Sequence, residues 1–122
     1  MTLAEACVLA AAVLPYVLAG AAKSARVDNH QPRAGMEKVG GWQRRAYWAH
    51  QNAFEAFAPF AAGVILAQMH SVAQGRVDAI ALTFVAARLL HGICYIGNWA
   101  TARSISWALG IACVIALFLQ LL

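Results

Sequence analysis

The sequence predicts an all-α integral membrane protein, a four-helix up-down bundle, and three observations carry that expectation. Of the 122 residues, 62% are hydrophobic and 11% charged, against roughly half and a quarter in soluble domains. The mean hydropathy, +0.64, agrees. The apolar residues gather in four long runs, each near the about 20 residues that a helix needs to cross about 30 Å of hydrocarbon. One long and two short connections join those runs, which suits antiparallel neighbours. A chain of this length makes one domain, residues 1–122.

The first span is expected over residues 3–22. Ala6 to Ala22 carries no charge. The opening, M-T-L-A-E-A, has no Lys or Arg, so the basic start of a secretory leader is missing and a retained helix is expected. Pro15 should kink it mildly. Residues 23–43 are polar, and Asn29, Pro32, Gly35, Gly40 and Gly41 favour turns. This stretch reads as a loop with room for a short helical turn.

The second span, 44–70, is longer than a bilayer requires, so it should tilt or project into the headgroups. Pro59 lies near its middle, and Gly75 marks the break that follows. The third span, 77–98, includes Arg88, His91 and Tyr95. A tight link leads to the fourth, 104–122, in which Ile105 to Leu122 is uncharged. Lys23, Arg26, Arg33, Lys38, Arg44, Arg45 and Arg103 fall on one side of such a bundle and Arg76 on the other. The excess of positive charge then puts the 23–43 loop in the cytoplasm and both termini outside.

Several function classes are disfavoured. The net charge of +4 does not form the soluble basic face that nucleic acid needs. Cys7, Cys94 and Cys113 lie far apart in apolar runs and read as small buried hydrophobes. No spacing of His and Cys suits a metal, no Ser-His-Asp order stands out, and no glycine-rich phosphate loop is present. His30 and His70 read as loop or headgroup residues, and His50 as a cap or interface residue. The tryptophans lie mostly near span ends, as interfacial anchors do.

The informative pattern is a pair of polar seams. Arg45, Trp48, Asn52 and Glu55 step by three, four and three residues along the second span, one stripe of a helix. Arg88, His91, Tyr95 and Asn98 repeat the steps on the third. In lipid such seams turn inward or towards another subunit, and a charge kept there usually faces a partner or a ligand. Antiparallel helices put Glu55 and Arg88 at a similar depth, so the two are expected to pair. A buried ion pair is often neutral for stability, which makes a site the better reading than a purely structural network. Lys23, Arg45, His91, Tyr95 and Arg103 would line a cavity that attracts an anion, while Asn52 and Glu55 would fix an ammonium and an amide. A small zwitterionic peptide with extra carboxylates fits that set. Arg103 and Ser104, at the head of the fourth helix, would hold a thiolate beside a positive dipole end.

The run R-x-x-x-A-H-x-N-x-x-E from Arg45 to Glu55, closed by Pro59-Phe60, the run R-x-x-H-x-x-x-Y from Arg88 to Tyr95, and Arg103-Ser104 resemble the MAPEG family, the membrane-associated proteins of eicosanoid and glutathione metabolism. The resemblance covers nearly the whole chain, whose length is similar to that of short bacterial members. It implies a homotrimer of four-helix subunits in a bacterial inner membrane. It implies glutathione as co-substrate, bound between adjacent subunits near the cytoplasmic face, and a lipophilic second substrate arriving from the bilayer. Asn52 and Glu55 match residues that hold glutathione, and His91 and Tyr95 match residues lining that site. Arg103 matches the arginine credited with stabilising the thiolate, and Ser104 a neighbouring hydroxyl. Lys23 lies where members carry a basic ligand to the peptide. Where members often have an arginine two positions before the histidine, this chain has Trp48. The expected function is a glutathione-dependent transferase or peroxidase. The alternatives are a small four-helix proton-coupled multidrug transporter and a membrane binding trimer without catalysis.

Overall fold

The computed structural model describes residues 1–122. They form five α-helices and no strand: α1 (Leu3–Lys23), α2 (Pro32–Glu37), α3 (Gly41–Met69), α4 (Gln74–Ile96) and α5 (Ala100–Leu119). Local chemistry accounts for several of the ends. At α1 the Thr2 hydroxyl accepts from the Glu5 N–H at 3.1 Å, and the Glu5 carboxylate accepts from the Thr2 N–H at 2.8 Å. Two otherwise orphaned donors are thereby satisfied. Pro15 and Pro59 lie inside α1 and α3, where each removes one helical hydrogen bond. In the 23–43 stretch Pro32 opens α2, and Met36 docks the loop by burying against Ala22 and Ala46.

Successive long helices run antiparallel. Gln68 near the end of α3 donates to Thr2 before α1. Arg45 near the start of α3 donates to Ile96 at the end of α4. Arg76 near the start of α4 donates to Gln120 after α5. One apolar cluster draws on all four long helices, including Cys7, Phe60, Val64, Phe84, Cys113 and Leu117. Phe60 and Phe84 stack at its centre, with ring centroids 3.8 Å apart and planes within 10°. Gly63 lets α3 approach α5: a methyl there would meet the Leu117 side chain at 3.1 Å.

The distribution of side-chain size is inverted relative to a soluble protein. Alanine is the commonest buried apolar residue, as at Ala4, Ala46, Ala67 and Ala81, whereas Leu9, Val17, Leu90, Ile105, Ile115 and Leu119 are exposed. Helices in lipid gain little from hiding large apolar groups from their solvent, and instead pack closely through small residues. Three helices, α1, α4 and α5, are long and apolar enough to cross a membrane. The expected second span falls outside that set. Although α3 is the longest helix, with 29 residues, its first half holds Gln43, Arg44, Arg45, His50, Gln51, Asn52 and Glu55.

Candidate functional site

The first half of α3, the second half of α4 and the head of α5 converge. Arg88 is 4% exposed and His91 3%. Both stand on the inner face of α4, four residues from Phe84 and Tyr95 respectively. Arg88 can run inward because Gly110 on α5 offers no side chain: a methyl there would sit 3.4 Å from the Arg88 Cδ.

The expected Glu55–Arg88 ion pair does not form. The Arg88 Nη2 donates to Asn52 Oδ1 at 2.5 Å, and Asn52 Nδ2 donates to Glu55 Oε2 at 3.4 Å. Asn52, half-buried, stands between the buried cation and an exposed carboxylate. The arrangement follows from position: Asn52 lies one turn nearer the end of α3 that α4 reaches with its C-terminal half, so the guanidinium meets the amide first. Arg88 Nε is sealed from solvent and has no partner. Glu55, Asn52 and Arg88 nevertheless line one cavity of about 200 Å³ between α3, α4 and α5, with Trp107 at its edge.

On the outer side of Asn52 lies an open shelf of Trp48, Gln51, Asn52, Glu55 and Tyr95. Its wall is aromatic. Trp48 and Tyr95 have ring centroids 6.4 Å apart, and His91 meets Tyr95 edge-on at 5.5 Å. The Arg103 guanidinium carbon lies 4.7 Å from the Tyr95 ring centre, and that of Arg44 lies 5.5 Å from the Trp48 ring centre. Arg103 occupies the first turn of α5. A cation at a helix N-terminus opposes the dipole of its own helix, so the position favours an anion twice over, through the side chain and through the helix end. Ser104, the next residue, is exposed.

Two expected site residues, Arg45 and Lys23, and one seam residue, Asn98, are placed otherwise. The Arg45 Nε donates to the Ile96 carbonyl at 3.0 Å and so closes the last turn of α4. Lys23 is exposed at the end of α1 and lines a separate pocket with Arg33, Tyr47 and His50. Asn98 lies beyond α4, in the left-handed region at φ 59°, so the α4 seam ends at Tyr95. His50 ties α3 to α1 through Nδ1, 2.8 Å from the Pro15 carbonyl. Sequence reasoning missed Gln51 on the shelf and Arg44 beside it. The four-residue step from Arg44 to Trp48 was the available signal for the latter.

A third cavity, about 270 Å³, lies between α1, α3 and α4. Ten of its eleven lining residues are hydrophobic, and the exception is Arg88. Arg88 therefore lines both this apolar chamber and the mixed cavity that holds Asn52 and Glu55.

Comparison with curated proteins and with solved structures gives no match. Comparison with protein families gives one over residues 2–122. With seams, shelf and apolar spans in place over that same length, the chain belongs to the MAPEG family and is an integral membrane protein.

Proposed function

We propose that this protein is a glutathione-dependent transferase or peroxidase acting on a lipophilic substrate. The observation that carries the reading is the shelf itself: a carboxylate, Glu55, and a cation at a helix head, Arg103, flank an aromatic wall in a chain of the MAPEG family. Glu55 suits the ammonium of the tripeptide. Arg103 and the N-terminal end of α5 suit its thiolate, with the Ser104 hydroxyl as a further donor. Lowering the thiol pKa in this way raises the fraction of the nucleophilic form. The thiolate then forms a carbon–sulfur bond with the electrophile, the leaving group departs with the bonding pair, and the thiol proton passes to water. In the peroxidase version, attack on the peroxide oxygen gives an alcohol and a sulfenate, which a second glutathione converts to disulfide and water.

In this reading α3 completes a four-helix bundle with the three apolar spans, shielding its polar face within a homotrimer. Glutathione lies between subunits, where Lys23 and Arg45 of this chain type face the neighbouring copy's shelf, and His91 and Tyr95 back it. The 23–43 loop is cytoplasmic, both termini are outside, and the membrane is a bacterial inner membrane. The apolar chamber beside Arg88 gives a lipophile a route from the bilayer.

The test is an Arg103→Ala variant assayed for conjugation of glutathione to a chlorinated aromatic acceptor. Unchanged turnover removes Arg103 from the chemistry. Trp48 favours a second reading, a binding trimer without catalysis, because an indole offers no charge to a carboxylate. Absence of glutathione binding to the detergent-purified protein at millimolar concentration would support it. Proton-coupled efflux that is lost in Glu55→Gln would support a transporter instead.

A further inference from the structure

The chamber between α1, α3 and α4 is apolar except at one point, and that point is a cation without a counter-ion. Ten of the eleven residues lining it are hydrophobic, and the eleventh is Arg88. Arg88 is 4% exposed. Its Nη2 is engaged with Asn52, a neutral partner. Its Nε is sealed from solvent and bonded to nothing. Glu55 reaches it only through the Asn52 amide. A buried donor left without a partner costs the hydration it has lost, and a charge inside a membrane protein is normally met by an opposite one. The chamber therefore suits an anion that carries an apolar tail.

Its walls describe the tail. The volume is about 270 Å³, room for about nine groups of methylene size at about 30 Å³ each, the share of a water molecule in the liquid. Ala53 and Phe84 are buried at its inner side, whereas Val13, Val17 and Leu89 are exposed. It thus opens on the outer face of α1 and α4, which lipid chains reach. Depth narrows the class further. Arg88 lies eight residues before the end of α4, about 12 Å along the helix. A two-chain phospholipid keeps its phosphate at the membrane surface. A free single-chain acid can sink until its carboxylate meets the guanidinium, where a charge-assisted hydrogen bond offsets the lost hydration. The chamber shares no residue with the shelf.

We propose that this chamber is a binding site for a single-chain amphiphile with an anionic end group. The carboxylate accepts from Arg88 Nε, and the tail lies against Leu14, Phe57 and Phe84. The site is separate from the shelf and does not depend on the glutathione reading.

The experiment is equilibrium binding of radiolabelled decanoate, and of decanol as its uncharged counterpart, to the full-length protein in an uncharged detergent, each measured against empty micelles. Wild type should bind decanoate at least about tenfold more tightly than decanol. Arg88→Gln should abolish that preference, and Arg88→Lys should keep part of it. Val13→Trp, which fills the chamber from an exposed position and leaves the guanidinium in place, should weaken both probes by about tenfold or more. Equal binding of the two probes to wild type overturns the proposal, as does no binding of decanoate. A preference for decanoate that survives in Arg88→Gln overturns the role of the guanidinium, and unchanged binding in Val13→Trp overturns the location. None of these measurements uses glutathione, so failure here leaves the transferase reading standing, and failure of that reading leaves this site untouched.

Discussion

The half of the molecule near Thr2 and the half near Arg103 are built on different terms. In the first, eleven buried residues from four helices form one cluster around the Phe60–Phe84 stack. Polar ties clamp its rim: Asp78 Oδ1 accepts from the Ala4 N–H at 2.9 Å and from Gln74 Nε2 at 2.7 Å. In the second, the buried apolar residues split into two clusters of three, around Leu18 and around Met36. Cavities and the open shelf occupy the space between them. A buried guanidinium, Arg88, and a buried imidazole, His91, belong to this half. Packing and site thus occupy opposite ends of the same helices, and substitutions in the two ends should be separable.

The largest expected effect is on the packed end. Phe60→Ala removes one ring of the stack from a fully buried position and should cost about 3 kcal/mol in an SDS-unfolding titration. That is the low end of the soluble range, because in a bilayer the loss is of packing more than of escape from water. Glutathione affinity of the folded fraction should not change; a parallel loss would show that the two ends are coupled. Next comes Arg103→Ala, with turnover reduced about a hundredfold, about 2.7 kcal/mol in the barrier. Unfolding should shift by no more than about 0.5 kcal/mol, since Arg103 is partly exposed. Asp78→Ala strips the α1 N-terminus of an acceptor and should cost about 1 kcal/mol of stability without touching turnover. The smallest effect belongs to Tyr95→Phe. The phenyl ring keeps its face towards Arg103, so turnover should stay within about twofold, a cation–π contact being nearly as good with phenyl. A larger fall would mean that the hydroxyl itself donates to the sulfur and that the aromatic wall is more than a support.

The comparison also explains which parts were legible in the sequence. The packed half is written in local pattern: apolar runs, the Thr2–Glu5 cap, and small residues at helical spacing. The helical class and the three apolar spans follow from such near-neighbour terms. The second span, expected over 44–70, falls on the longest helix, α3, whose polar first half keeps it out of the set of three apolar spans. In the hollow half, the residue types on each seam were legible, because steps of three and four place them on one face. Their partners were not. Whether Arg88 meets Glu55 or Asn52 depends on helix rotation and offset that neither seam contains. Arg45 turns back to a backbone carbonyl for the same reason, and Lys23 points to a pocket that exists only once α2 folds against α1 and α3.

The sequence by itself determined a helical membrane protein of the MAPEG family, with its charges concentrated on one side, because hydropathy, capping and motif spacing are properties of neighbouring residues. Only the tertiary structure decided that Asn52 stands between Arg88 and Glu55, that two arginines lie on Trp48 and Tyr95, and that the core and the shelf occupy opposite ends. Those are contacts between helices, and they depend on how close small residues such as Gly63 and Gly110 let the helices come.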